Sequence, residues 1–282
     1  MISRKGQDRV FGWLMGLSLA GVVAALIAIA GCVAVRGAAG FTWRMLIETP
    51  KGGYYLGGEG GIANAIVGSL CLAVGATLLS ALFSLPASLA LQREYASPRL
   101  SRAARLLFDT LAGVPSIVWG ALGFVVMSWL GMRASLLAGM ATLAVLIFPI
   151  MTCAMAEAVK AVPPGVKEAA RGLGASRTQT SWLVVARQAL PGLLAAVLLA
   201  FGRGIGDAAS VLFTAGYTDH IPRSLLDPVA SLPLAVFFQI GTPYPEAQAR
   251  GYASALVLLV IVLLVSFSSR LAGRRLSRHV LR

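Results

Sequence analysis

Ionisable side chains are scarce in this chain: only 12% of its 282 residues are Asp, Glu, Lys or Arg, and just 11 of them are acidic. Two histidines, His220 and His279, stand too far apart to found a zinc site. The three cysteines, Cys32, Cys71 and Cys153, have no paired spacing; each lies in an apolar run and reads as a small buried hydrophobe. Nothing here calls for a metal or an organic cofactor. No Gly-x-x-x-x-Gly-Lys-Ser/Thr loop occurs, so the chain lacks that device for holding ATP. Ser116 is polar within an apolar stretch, but no histidine or acid on a neighbouring stretch is placed to activate it, which argues against a membrane-embedded hydrolase.

What the chain has instead is long apolar runs, at 10–35, 62–91, 103–130, 134–156, 183–202 and 252–271. Runs of about 18 or more residues are candidate membrane spans, and a lipid-exposed backbone must be helical to satisfy its own hydrogen bonds. The expectation is an all-α integral membrane protein with six spans. Two runs exceed the roughly 20 residues a bilayer needs and contain Pro86 and Pro115, which predicts kinks, tilt or protruding ends. The first run, preceded by Arg4, Lys5 and Arg9, is longer than the 7–15 apolar residues of a signal peptide and reads as a retained helix with its amino terminus inside.

The net charge of +13 does not point to nucleic acid. With a cytoplasmic amino terminus, the inner segments are 1–9, 92–102, 157–182 and the carboxyl tail. In or beside them lie 17 of the 24 Lys and Arg, against 7 outside. That asymmetry is the positive-inside signature, with both termini cytoplasmic, and secondarily an attraction to anionic membrane lipid. Residues 36–61 are glycine-rich and read as an irregular external segment, while Gly131-Met132-Arg133 reads as a tight outer hairpin. Residues 229–240 are apolar but too short to span, which suggests a re-entrant or interfacial piece.

One segment, 157–182, breaks the apolar pattern. Pro163-Pro164 suits the first turn of a helix, and Lys167–Arg171 favours its continuation. Gly172 and Gly174 offer a stop, with Gly174 able to turn left-handed, and Ala175-Ser176 starts a second short helix. The residues alone read equally as a helix–turn–helix knob on the cytoplasmic face or as an ordinary interfacial loop. Arg203 and Asp207 flank a glycine-rich turn at the outer end of the fifth run. A charge inside a bilayer costs about 2.5–3.5 kcal/mol on insertion scales, so such groups face a cavity or a partner. Either the two pair at i, i+4 and cap the helix, or they serve a ligand. Asp109, four residues after Arg105, suggests a local ion pair, and Glu157 at a span end suggests snorkelling to water.

Several stretches together carry a resemblance. Glu168-Ala169-Ala170, three residues, then Gly174 is similar to the "EAA" loop of ABC-importer permeases. "LAGVPSIVWG" at 111–120, "ALQREY" at 90–95, "LGASR" at 173–177, "LAFGRGIGDAASVLFTA" at 199–215 and Ser231-Leu232-Pro233 resemble the PstA-type permease family of phosphate importers. The likeness runs in consistent order from residue 62 to the carboxyl end. Gly206-Asp207-Ala208-Ala209 departs from the Gly-Glu-Thr-Ala usual in that family.

The resemblance implies a type I ABC importer permease fold with a cytoplasmic coupling helix, residues 1–61 forming an amino-terminal helix and external loop and 62–282 the permease core. It implies no enzyme activity in the chain itself, an inner-membrane location, and ATPase coupling through Glu168, Ala169, Ala170 and Gly174. Arg203 and Asp207 fall on its substrate path. The implied partners are a second homologous permease, a dimer of ATPase subunits and an external phosphate-binding protein. An importer of another oxyanion (sulfate, molybdate or tungstate) stands as the alternative. An ion channel is disfavoured by the knob.

Overall fold

The computed structural model of the chain describes residues 4–51, 59–92 and 95–276. Gly52, Gly53, Gly57 and Gly58 of the expected outer loop, Arg93 of "ALQREY", and Arg278, His279 and Arg282 of the tail lie outside them, as do the side chains of Arg4, Lys5, Arg9, Arg270, Arg274 and Arg275. Among the described residues every regular element is helical: α1 (Arg4–Gly40), α2 (Trp43–Ile47), α3 (Ala63–Ala90), α4 (Pro98–Ala112), α5 (Ser116–Trp129), α6 (Leu136–Lys160), α7 (Pro164–Gly172), α8 (Arg177–Gln188), α9 (Leu190–Ile205), α10 (Leu232–Ile240) and α11 (Pro245–Leu276).

Helices α1, α3, α6 and α11 are each long and apolar enough to cross a membrane. Two pairs reach that length only together: α4 with α5, bent by 95°, and α8 with α9, bent by 72°. The continuous helices expected over 103–130 and 183–202 are thus each two pieces, and six spans result when each bent pair counts once. The causes are local. Pro115 has no N–H to extend α4 and holds the extended ψ of 138° of an N-cap, while its ring disfavours helix at Val114. Pro191 likewise gives no N–H to the turn before it, so the chain breaks at Ala189. Pro86, by contrast, stays inside an unbroken α3.

The core sits where α3 packs along α6, with α9 against both. Small side chains permit the close approach: Ala73, Ala76, Ser84 and Ser88 on α3 are fully enclosed, and the Ser84 and Thr152 hydroxyls meet at 3.1 Å. The short α10, in the segment expected to be re-entrant or interfacial, packs against α3 and α11. Ser231 caps it, and Ser69 of α3 accepts the Leu232 N–H at 2.7 Å.

Two expectations need correction. The glycine-rich segment after the first span is not irregular throughout, for α1 continues to Gly40 and α2 follows. Gly37 and Gly40 lie against α11 so tightly that a Cβ would fall 2.6 Å from the Tyr252 carbonyl oxygen and 2.5 Å from that of Ala249. Arg36 completes the clasp, donating to the Tyr252 hydroxyl at 2.9 Å with its guanidinium over the ring. Cys32, expected to be buried, is exposed on α1, whose most apolar stretch buries nothing against the rest of the chain; Cys71 and Cys153 are half-buried.

Candidate functional site

The knob forms as its residues require. Pro164 opens α7 and the helix ends at Gly172, with Leu173 as its cap. Gly174 takes φ +86°; its N–H donates to the Arg171 carbonyl at 2.9 Å, and that of Ala175 to the Ala170 carbonyl at 3.1 Å. This is a Schellman turn, and it needs the left-handed residue that glycine supplies without strain. Ser176 then caps α8 reciprocally with Gln179. No residue of α7 is buried; Glu168, Ala169 and Gly174 are exposed, and a Cβ on Gly174 would meet nothing within 4 Å. Leu173 is 90% exposed at the crest. Sequence reasoning passed over Leu173 because only the turn makes it protrude.

Arg203 and Asp207 come together. Arg203 Nη1 donates to Asp207 Oδ1 at 2.8 Å, and Asp207 Oδ2 accepts the Ser210 N–H at 2.9 Å. The Asp207 side chain is only 4% exposed, against 43% for Arg203. Each carboxylate oxygen therefore has one partner within the chain, and Asp207 holds one arm of Arg203 in place. Ser210 is a supporting residue that spacing did not reveal. Gly120 on α5 makes room for it, since a Cβ there would lie 3.1 Å from the Ser210 Cα.

The pair also lies beside the body of α6 rather than past its end. It occupies the end of α9, but neighbouring Gly204 faces Leu143 and Ile147, near the middle of the 25-residue α6. Residues 206–216 continue as irregular backbone, and Ser210, Val211, Thr214 and Ala215 within them are almost wholly enclosed. Non-helical chain at membrane depth is tolerated when protein surrounds it in this way. Arg203 lies at the head of a groove of about 790 Å³ that follows α9 back to Gly192, walled by Ala154 and Ala158 of α6 and by Val262 and Ser266 of α11.

The knob and the charge pair are not brought together; they stand at opposite ends of α8–α9. Between them lie the wide π-helical turn Thr180–Val185 and the 72° bend. π segments are rare and occur frequently at functional sites. Of the other charges, Arg105 reaches across to Glu157 on α6 instead of its helix neighbour Asp109, and Glu157 also lies 3.7 Å from Lys160.

Known proteins are similar to this chain in sequence and share its fold. Residues 82–281 match the family described as binding-protein-dependent transport system inner membrane component. The phosphate transport system permease protein PstA 2 of Mycobacterium tuberculosis is 32% identical over 234 residues, covering 82% of this chain and 76% of that one. The probable PstA of Methanocaldococcus jannaschii is also 32% identical, over 220 residues and 76% of each chain. Among solved structures, the inward-facing MetNI methionine ABC transporter superposes with a TM-score of 0.63 at 18% identity, covering 76% of this chain and 95% of that one. A bacterial ABC transporter that imports alginate gives 0.56 at 16%, covering 95% and 99%. With its multi-pass helical body and its exposed EAA knob, the chain belongs to the binding-protein-dependent transport inner-membrane family, as a PstA-type permease with the type I ABC importer fold.

Proposed function

We propose that this chain is a permease subunit of an ATP-driven importer of inorganic phosphate. The observation that carries the reading is the guanidinium of Arg203, braced by a buried carboxylate, at the head of a groove, in a chain whose relatives are named phosphate permeases. Its fork of donors matches oxyanion geometry, and Asp207 takes one arm while leaving the rest of the fork partly open. Asp207 acts on the anion through Arg203, fixing its direction and lowering the local positive field so that a bound anion can leave again.

The partners are a second homologous permease, a cytoplasmic ATPase dimer that seats α7 through Glu168, Ala169, Ala170 and Gly174, and an external phosphate-binding protein. Residues 1–61 form an appended helix and outer segment, and 62–282 the transport core. Both termini face the cytoplasm. Cysteine reporters at Lys51 and Arg223 are then expected to label from outside, and reporters at Arg99 and Arg177 to stay protected until the membrane is opened. External labelling at Arg177 would detach the knob from any cytoplasmic ATPase.

The anion itself is tested by uptake of labelled phosphate into vesicles carrying the full complex. Unlabelled phosphate is expected to compete, and sulfate and molybdate to leave uptake unchanged. Equal competition by sulfate or molybdate would make the chain a permease for another oxyanion.

A further inference from the structure

Helix α4 is poorly accounted for by the bundle, because none of its 15 residues is buried. It is nonetheless firmly built and tethered. Ser97 caps it by accepting the Leu100 N–H at 3.2 Å, and Ser101 donates to the Leu91 carbonyl at 3.2 Å, beside the end of α3. Arg105 is tied to Glu157, and the Phe108 ring stands edge-on to Phe148 with centroids 5.6 Å apart. At 100° per residue, Arg99, Arg102 and Asp109 project from one edge, with the exposed Leu106 among them, and Leu100, Leu107 and Leu111 from the other. Leu100 and Leu107 are exposed. Arg102 donates to the Pro98 carbonyl at 3.3 Å, and among the described residues neither Arg99 nor Arg102 meets a carboxylate. Asp109 follows about two turns later on that edge, so the positive charge is concentrated in the first two turns. The 95° angle to α5 turns α4 away from the direction of the span.

We propose that α4 lies in the cytoplasmic leaflet as an amphipathic helix, with Arg99 and Arg102 holding the headgroup phosphate of an anionic phospholipid. The placement rests on the orientation proposed above, which sets the α3–α4 connection on the inner side, and it leaves the crossing counted for the bent pair to α5 and the residues flanking it. Water alone on α4 would leave the leucines wet, and a covering protein would have to neutralise two buried arginines. The leaflet boundary satisfies both edges at once: leucines enter the acyl region while guanidinium groups stay at the phosphates.

The test uses the full complex in vesicles of phosphatidylcholine with or without phosphatidylglycerol. Spin labels at Leu100→Cys and Leu107→Cys are expected to relax with oxygen and to be shielded from a water-soluble nickel chelate. The complex is expected to retain phosphatidylglycerol over phosphatidylcholine. Arg99→Gln with Arg102→Gln should lower that preference about 30-fold, the factor two surface arginines contribute. The paired change to Lys should keep most of it, and added inorganic phosphate should not displace the lipid. Labels shielded from both relaxants would mean a protein covers α4, and labels open to the chelate would mean it lies in water. Either result, or an unchanged lipid preference in the Gln pair, overturns the proposal. If the Gln pair fails to insert, the label depths still decide. None of these readouts depends on transport, so their failure leaves the phosphate-importer reading standing.

Discussion

Gly174→Val is expected to abolish phosphate uptake and the stimulation of ATP hydrolysis while the protein still reaches the membrane. The turn requires φ +86°, a conformation costing an ordinary L-residue about 1–2 kcal/mol, and more for a β-branched one. Transmitted to a coupling equilibrium, that strain alone corresponds to roughly 5- to 30-fold. Within the chain a side chain at this position meets nothing, so valine has room and the fold is not threatened. Any loss beyond the strain must come from the surface that seats the knob. Gly174→Ala separates the two effects, because it carries the strain with little bulk; partial uptake is expected from it and none from valine. Glu168→Ala should act in the same direction, less severely. Normal uptake with valine, measured at matched membrane levels, would make the segment an interfacial loop with no part in coupling.

What lies between this knob and the charge pair was only partly legible beforehand. Apolar length revealed α1, α3, α6 and α11, because crossing a bilayer demands it whatever the neighbours. Pro163-Pro164, Gly174 and Ser176 announced the two short helices and the turn between them, because helix starts and left-handed stops are written in single residues, but not whether they make a docking knob or an interfacial loop. Pro115 announced a disturbance, but a kink and a 95° break look alike in an apolar run; the angle depends on where α4 finds its tethers. Arg105 illustrates the limit: i, i+4 spacing pointed to Asp109, whereas Glu157, 52 residues on, is the partner the fold supplies. The place of Arg203 beside the body of α6 was hidden for a similar reason. The end of an apolar run reads as the membrane edge, yet here the chain continues inside the protein as buried irregular backbone.

Arg203 carries the second large effect. Arg203→Lys keeps a charge but loses the planar fork, and should reduce uptake about 10- to 150-fold, the worth of one charge-assisted hydrogen bond. Arg203→Gln should stop uptake altogether. That single change has a second consequence, because it leaves the Asp207 carboxylate, 4% exposed, without its counter-charge. Removing one partner of a fully buried pair costs about 3–5 kcal/mol; Arg203 is 43% exposed, so the cost here is smaller, but dead uptake in the single variant would still have to be separated from a damaged fold. Membrane levels and melting temperature must therefore be measured beside it.

The double change Arg203→Gln with Asp207→Asn removes both charges together and relieves the unpaired carboxylate. Labelled-phosphate uptake by the full complex, compared between this variant, Arg203→Gln alone and the unaltered chain at equal membrane levels, is the decisive measurement. If the guanidinium serves the anion, the double variant should regain stability and still transport nothing. Recovery of uptake toward that of the unaltered chain would show that the two charges only neutralise each other, and would contradict the placement of Arg203 on the anion path.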